Sequence, residues 1–155
     1  MTAAASIPLG TIYDRRTFRI TESVSAHIGR VRKKLIEKID LELGALNLNT
    51  HQSVVIVRLA EGLGSTASDM CRAMTHDPGA MTRLLDKLES RGLLRRAWDG
   101  KDRRSARLAL TPKGRALYPK IVAAQASVLN RMLEGFSRGE VRALEEFLKR
   151  MLANA

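Results

Sequence analysis

The sequence predicts a mainly helical fold with one small β-hairpin, an α+β chain in which the hairpin interrupts a run of helices. Three observations predict it. Apolar residues recur at i, i+3, i+4 and i+7 over most of the chain, short capping signatures cut that pattern into separate helices, and only between Gly92 and Thr111 does it give way to the two-residue alternation of strands.

Residues 1 to about 12 (MTAAASIPLGTI) show no periodicity and are expected to form a flexible or partner-docked arm. Arg15, Arg16 and Arg19 follow, charges that suit a solvated face. From about Thr21 to Leu43 a helix is predicted, because Val24, Ile28, Val31, Leu35 and Ile39 fall on one stripe. Asn49 and Thr50 offer N-caps for the next helix, which reaches about Glu61 before Gly62 and Gly64 break it. Its VVIV run has strand propensity, but the cap, the following Arg-Leu-Ala-Glu and the glycine exit favour a helix. Ser65 or Thr66 then caps a short helix with Ala67, Met70, Cys71 and Met74 on its apolar side.

Only Thr75 and His76 separate that helix from Asp77, the cap of the best-marked helix in the chain. Pro78 suits its first turn, Met81, Leu84, Leu85 and Leu88 form its apolar face, and Gly92 stops it. Two helices joined this tightly make a helix-turn-helix. Leu93–Trp98 and Ser105–Leu110 read as strands, the second placing Ala106, Leu108 and Leu110 inward and Ser105, Arg107 and Ala109 outward. Asp99-Gly100 and the run Lys101-Asp102-Arg103-Arg104 lie between them as the hairpin tip.

Thr111-Pro112 opens a further helix with Leu117, Ile121, Ala124, Val128 and Met132 along it, and Pro119 should kink or restart it. Ser137 to Glu140 then spells the S-x-x-E capping box, flanked by Phe136 and Val141 at the staple positions. Val141, Leu144, Phe147, Leu148 and Met151 give the last helix its face to bury. The expected organisation is a single domain over 1–155, with the helix-turn-helix and hairpin in one lobe at 50–111 and helical segments at 13–46 and 112–155 on either side of it in sequence.

Charge narrows the function. The formal net charge is +11, and nine Lys or Arg against two Asp lie between Arg91 and Arg115. A helix followed directly by a basic hairpin suits a polyanionic duplex. The chain carries no His-Glu-x-x-His, P-loop, dinucleotide fingerprint or Gly-x-Ser-x-Gly elbow, and its three histidines form no acid-base set or ligand-spaced cluster. The expectation is therefore no enzyme, no cofactor and no metal. With two Tyr, three Phe and one Trp it lacks the stacking platforms of single-strand binders. No apolar run reaches the ~18 residues of a membrane span, and the single cysteine, Cys71, fits a reducing compartment. A soluble, cytoplasmic, nucleoid-associated protein is expected.

Taken together, DPGAMTRLLDKLESRGLLRR followed by DGKDRRSARLALTPKG resembles the multiple antibiotic resistance regulator (MarR) family of bacterial transcription factors. The resemblance extends more loosely over nearly the whole chain. It implies a winged helix-turn-helix lobe joined to a helical dimerisation domain built from both chain ends. It also implies an obligate homodimer and a repressor that binds a pseudo-palindromic operator and is released by a small effector, often an aromatic carboxylate. Asp102 and Arg104 match the family's wing pair, the Asp shaping the loop and the Arg reaching DNA.

The residues support the same picture. The outer face of the 77–91 helix offers Gly79, Ala80, Thr82, Arg83, Asp86 and Lys87 to a major groove, with Arg83 suited to a guanine or, alternatively, to a phosphate and Thr82 to a base edge or methyl. Asp86 is an orienting partner for an arginine rather than a DNA contact. Arg103 and Arg104 suit the minor groove, and Lys101, Arg103 and Arg107 suit phosphates. Arg95 and Arg96 brace the wing or meet the backbone. Ser65, Thr66, Asp77 and Pro78 complete the expected DNA-contacting set. For an effector, Arg16, His27 and His51 lie on segments able to line an anion pocket. Cys71 reads as a core residue; a thiol-responsive regulator acting through it, and a non-specific architectural DNA- or RNA-binding protein, are the alternatives.

Overall fold

A computed structural model describes residues 12–14, 16–99 and 102–155; for 98, 99 and 102–105 it describes the backbone. The order is α1 (Val24–Gly44), α2 (Thr50–Ala60), α3 (Ala67–Met74), α4 (Pro78–Ser90), β1 (Leu94–Asp99), β2 (Asp102–Leu110), α5 (Pro112–Arg115), α6 (Tyr118–Met132) and α7 (Arg138–Ala153). The chain divides into two compact units, residues up to Ile36 and residues from Glu37 on.

In the first unit, a short 3-10 turn (Ile20–Glu22) precedes α1, so the helix starts at Val24 rather than at Thr21. The cause is Ser23, whose hydroxyl donates to the Ile20 carbonyl at 2.7 Å and accepts from the Ala26 N–H at 3.3 Å. The Tyr13 hydroxyl accepts from the Val24 N–H at 3.0 Å, and the Tyr13 ring meets Phe18 edge-on. Val24, Ile28 and Val31 are exposed.

The second unit holds the core. Leu43, Val55, Ile56, Met70, Met81, Leu85, Leu88, Leu93, Leu94, Ile121 and Val128 are all buried, so α2, α3, α4, β1 and α6 share one apolar interior. The helical reading of VVIV holds, and the Asn49 side chain and Gln52 form a reciprocal capping box. Thr66, not Ser65, caps α3 in a second box with Asp69. On α3 only Met70 is buried, while Ala67 is exposed and Cys71 half-buried; on α4 Leu84 is half-buried.

Pro119 restarts the helix as its ring requires, leaving the single turn of α5 ahead of α6. Arg131 of α6 pairs with Glu42. The Ser137–Glu140 box forms, but the apolar face of α7 is not buried within the chain: no residue of the helix is, and Leu144, Phe147, Leu148 and Met151 are exposed.

The hairpin differs from the sequence reading at its tip. β2 begins at Asp102, with Asp99 paired to Asp102 and an irregularity in register between Ala97 and Asp99. Asp102, Arg103 and Arg104 are strand residues by backbone rather than a loop, because in a two-stranded sheet both strands are edges, and an edge tolerates a cationic run that loop statistics would claim. Of the expected inward-outward alternation, Leu108 is buried and Arg107 exposed, while Ala106, Ala109 and Leu110 are all half-buried.

Two glycines fix the junction below the hairpin. Gly92 ends α4 at φ 66°, with the Leu93 N–H returning to the Leu88 carbonyl at 3.0 Å. Gly114 packs so closely that a Cβ would lie 1.9 Å from the Leu93 carbonyl oxygen. Replacing Gly114 by Ala is expected to destabilise the chain by more than ~2 kcal/mol, because a backbone atom must move. Gly92→Ala, with open space but a left-handed backbone, should cost about 1 kcal/mol. Denaturant titration of both variants checks the order; equal losses would contradict the steric account.

Candidate nucleic-acid interface

Asp77 caps α4, its Oδ1 accepting from the Ala80 N–H at 2.9 Å. That bond holds its carboxyl below the usual carboxylate range, with the Gly79 N–H and the charge of Arg83 acting in the same direction. Pro78 occupies the first turn. Gly79, Thr82, Arg83, Asp86 and Lys87 are exposed along one face and Ala80 is half-buried, while Met81, Leu85 and Leu88 seat the opposite face in the core. The Thr82 hydroxyl donates to the Pro78 carbonyl at 2.8 Å, leaving its lone pairs and methyl outward. The Arg83 guanidinium lies near the first turn, 3.7 Å from where a Cβ on Gly79 would stand.

The start of α3 is tied to the hairpin. The Leu108 N–H donates to the Ser65 carbonyl at 2.7 Å, and Thr66 forms an isolated bridge with Arg107. Asp69 locks this segment, its Oδ2 accepting from the N–H groups of Ser65 and Thr66, both at 3.0 Å, while Oδ1 accepts from Arg72 at 2.8 Å. The Ser65 N–H, then the Thr66 hydroxyl and Arg72, hold the Asp69 carboxyl far below the usual carboxylate range. Ser65, Thr66, the front of α4, Arg95 and Arg107 are therefore positioned by one connected lobe, and the last two are exposed. Lys101 and the side chains of Asp102, Arg103 and Arg104 lie outside the described residues.

Arg96 braces the wing through α4: it pairs with Asp86 and Glu89, both at 2.7 Å. Asp86 is thus an orienting partner, as its residue type suggested. Glu89 was not singled out from the sequence; the signal was available, since Asp86 and Glu89 sit three residues apart on one helix face.

The three residues read as anion-pocket candidates fall in both units. Arg16 and His27 belong to the first unit and are exposed, Arg16 donating its backbone N–H to Asp14 at 2.7 Å and His27 placing Nδ1 2.8 Å from the Ser23 carbonyl. His51, in the second unit, is exposed with its ring centroid 4.8 Å from that of His76. A 450 Å³ groove between α6 and α7 is lined by Leu133, Phe136, Arg138 and Arg142 among others, and a 350 Å³ one beside α3 by Arg58, Asp69 and Arg72 among others. Neither includes Arg16, His27 or His51. Cys71 is half-buried rather than a core residue. Among the described residues no cluster of three His, Cys, Asp or Glu could hold a metal, and no helix is long and apolar enough to cross a membrane.

A helix-turn-helix whose second helix presents an exposed cationic face beside a two-stranded wing is a winged helix-turn-helix, the architecture of transcriptional regulators. The MarR family profile matches residues 46–105. The transcriptional repressor Mb2911 of Mycobacterium bovis is 31% identical over 121 residues, spanning 76% of this chain and 87% of that protein. The Escherichia coli transcriptional repressor MprA is 26% identical over 125 residues, 79% of this chain and 71% of its own. A MarR-family regulator from Listeria monocytogenes, crystallised with 26mer DNA, superposes with a TM-score of 0.77 at 26% identity, covering 86% of this chain and 89% of its own. The chain belongs to the MarR family, a family of DNA-binding transcriptional regulators and not of enzymes.

The bonds around Asp69 carry a pH dependence. Its folded pKa is lowered from 3.8, so its stabilising contribution is complete above that value and is lost as pH falls below it. Asp69→Asn should therefore flatten the acid limb of a plot of melting temperature against pH. Parallel acid limbs for the two proteins would contradict the role assigned to this carboxylate.

Proposed function

We propose that this chain is a repressor that binds a pseudo-palindromic operator as a homodimer, with α4 of each copy in a major groove and the β1–β2 wing along the adjacent minor groove. The observation that carries the reading is the exposed front of α4. Thr82, Arg83 and Lys87 project from a helix fixed at its first turn by Asp77 and along its back by the core. Arg83 has the two-pronged donor set that fits guanine O6 and N7, and Thr82 offers a hydroxyl and a methyl to a neighbouring base. Gly79 and Ala80 keep the leading turn small enough for close approach. Ser65, Thr66, Asp77 and Pro78 border it at the helix starts, where backbone N–H groups face phosphates. Lys87, Arg95, Lys101, Arg103 and Arg107 supply phosphate contacts, and Arg104, shaped by Asp102, enters the minor groove.

The apolar surface left on α7 supports the homodimer. Leu144, Phe147, Leu148 and Met151 make a stripe on a helix with no buried residue, and a helix of this length is marginal in water without a packed face. Val24, Ile28 and Val31 on α1 present a second uncovered stripe. The dimerisation segments are accordingly 13–46 and 112–155, with the DNA-binding lobe at 50–111. A two-fold pair spaces the recognition helices about 34 Å apart, one turn of duplex. Repression is supported by the Mycobacterium bovis and Escherichia coli relatives, both transcriptional repressors, DNA binding by the Listeria complex, and the location that goes with this function is the cytoplasmic nucleoid. The effector is a small aromatic carboxylate, a class suited to the cationic or ionisable side chains of Arg16, His27 and His51.

Selection of duplexes from a random pool tests the reading, and a two-fold symmetric motif is expected. Enrichment without symmetry or base preference would leave only a non-specific binder, and adding aromatic acids or peroxide to the same selection assays release. With the selected site, Arg83→Ala should relax discrimination at one base pair of each half-site by about 1–3 kcal/mol. Lys87→Ala, at a phosphate, should instead weaken all sequences alike and lower the salt-dependence slope by about one. Sedimentation at micromolar concentration should show a dimer, and Phe147→Glu should convert it to monomer with loss of operator binding. A native monomer would contradict the proposal.

A further inference from the structure

We propose that Arg96 is a positioning residue that sets the wing against the recognition helix, so that the protein selects the distance between the major-groove and minor-groove steps of each half-site. The inference rests on the DNA-reading function proposed above. Arg96 lies on β1, and three donors of this one residue reach α4. Nη1 donates to Glu89 Oε2 at 2.7 Å, Nη2 donates to Asp86 Oδ1 at 2.7 Å, and the backbone N–H donates to Glu89 Oε1 at 3.1 Å. A planar guanidinium shared between two carboxylates, with the strand backbone tied to one of them, fixes orientation as well as distance.

The placement gives the bonds their consequence. Asp86 and Glu89 follow Arg83 on α4, about one and two turns towards the helix end, so they share the element that carries the base-reading side chains. Arg96 faces Leu108 in the ladder, one residue before Ala97, beyond which the register becomes irregular. The clamp therefore acts at the base of the hairpin, where a small change of angle moves the distal strand residues, Arg103 and Arg104 among them, along the duplex.

Stability is not what such a clamp supplies. The side chains of Arg96, Asp86 and Glu89 are 26%, 54% and 37% exposed, and ion pairs with that much solvent contribute little to folding. Neutralising two carboxylates that would otherwise repel phosphates is the competing role, and it makes a different prediction. It would raise affinity for every duplex without setting any distance.

The test uses full-length protein and the selected operator, with an A·T tract placed at the wing position and then shifted by one or two base pairs. A narrow A-tract groove attracts Arg, so the native protein should lose about tenfold in affinity on the shift. Arg96→Ala should bind more weakly and lose most of that distance preference. Its guanine methylation protection under α4 should persist while hydroxyl-radical protection at the wing spreads. The triple variant Arg96→Ala, Asp86→Asn, Glu89→Gln removes the repulsion; it should regain affinity without regaining the distance preference. Arg96→Lys, able to hold one carboxylate at a time, should fall between and covers the case in which the alanine variant is poorly folded. A triple variant with native affinity and native distance preference would overturn the proposal in favour of charge neutralisation. So would a native protein indifferent to the shift, and in that case guanine protection under α4 would still uphold the DNA-reading function. Absence of guanine protection in the native protein would remove that function itself.

Discussion

Thr111 joins the ends of three elements. Its hydroxyl donates to the Gly92 carbonyl at 2.6 Å and accepts from the Gly114 N–H at 3.1 Å, and its own N–H donates to the Leu93 carbonyl at 3.1 Å. The exit of α4, the end of β2 and the start of α5 thus meet at one residue, and Gly114 is required there because the Leu93 carbonyl leaves no room for a side chain. Arg91 extends the junction by donating to the carbonyl of Asn47 at 2.6 Å, and Lys113 by donating to that of Arg91 at 3.0 Å. The recognition helix is consequently held at both ends: by Asp77 at its start and by this junction at its finish. Everything the lobe presents to a groove inherits its orientation from those two anchors and from the Met81, Leu85 and Leu88 face between them.

Much of this was legible in the sequence because local chemistry decided it. A cap followed by Pro, an apolar stripe and a terminal Gly specify α4 with no help from the rest of the chain, and the S-x-x-E box specifies the start of α7 in the same way. The Thr111–Gly114 spacing was visible as a cap and first turn, but its larger role was not. That role needs the Leu93 carbonyl, a contact between segments about twenty residues apart in sequence.

What was missed depends on tertiary context or on solvent. The run Lys101 to Arg104 has a loop composition, yet strand pairing extends to Asp102, since an edge strand asks little of side-chain type. The stripe on α7 reads as a buried face but is exposed in the chain taken singly. Periodicity reports that a face is to be covered, not by which molecule. Arg16, His27 and His51 were chosen for charge type alone, and whether side chains converge on a pocket is something no spacing in the sequence encodes. The contact of His51 with His76, at the turn between α3 and α4, is likewise tertiary.

The account turns on whether Arg83 meets a guanine from the front of α4. The most direct measurement replaces one guanine per half-site with 7-deazaguanine, which removes N7 and leaves the base pair intact. Its effect on binding is then compared between the native protein and Arg83→Ala. The account predicts a loss of about tenfold for the native protein and little further loss for the variant, because the partner of N7 is already gone. Equal losses in both proteins would show that another side chain reads that guanine and would contradict the assignment of α4's leading arginine.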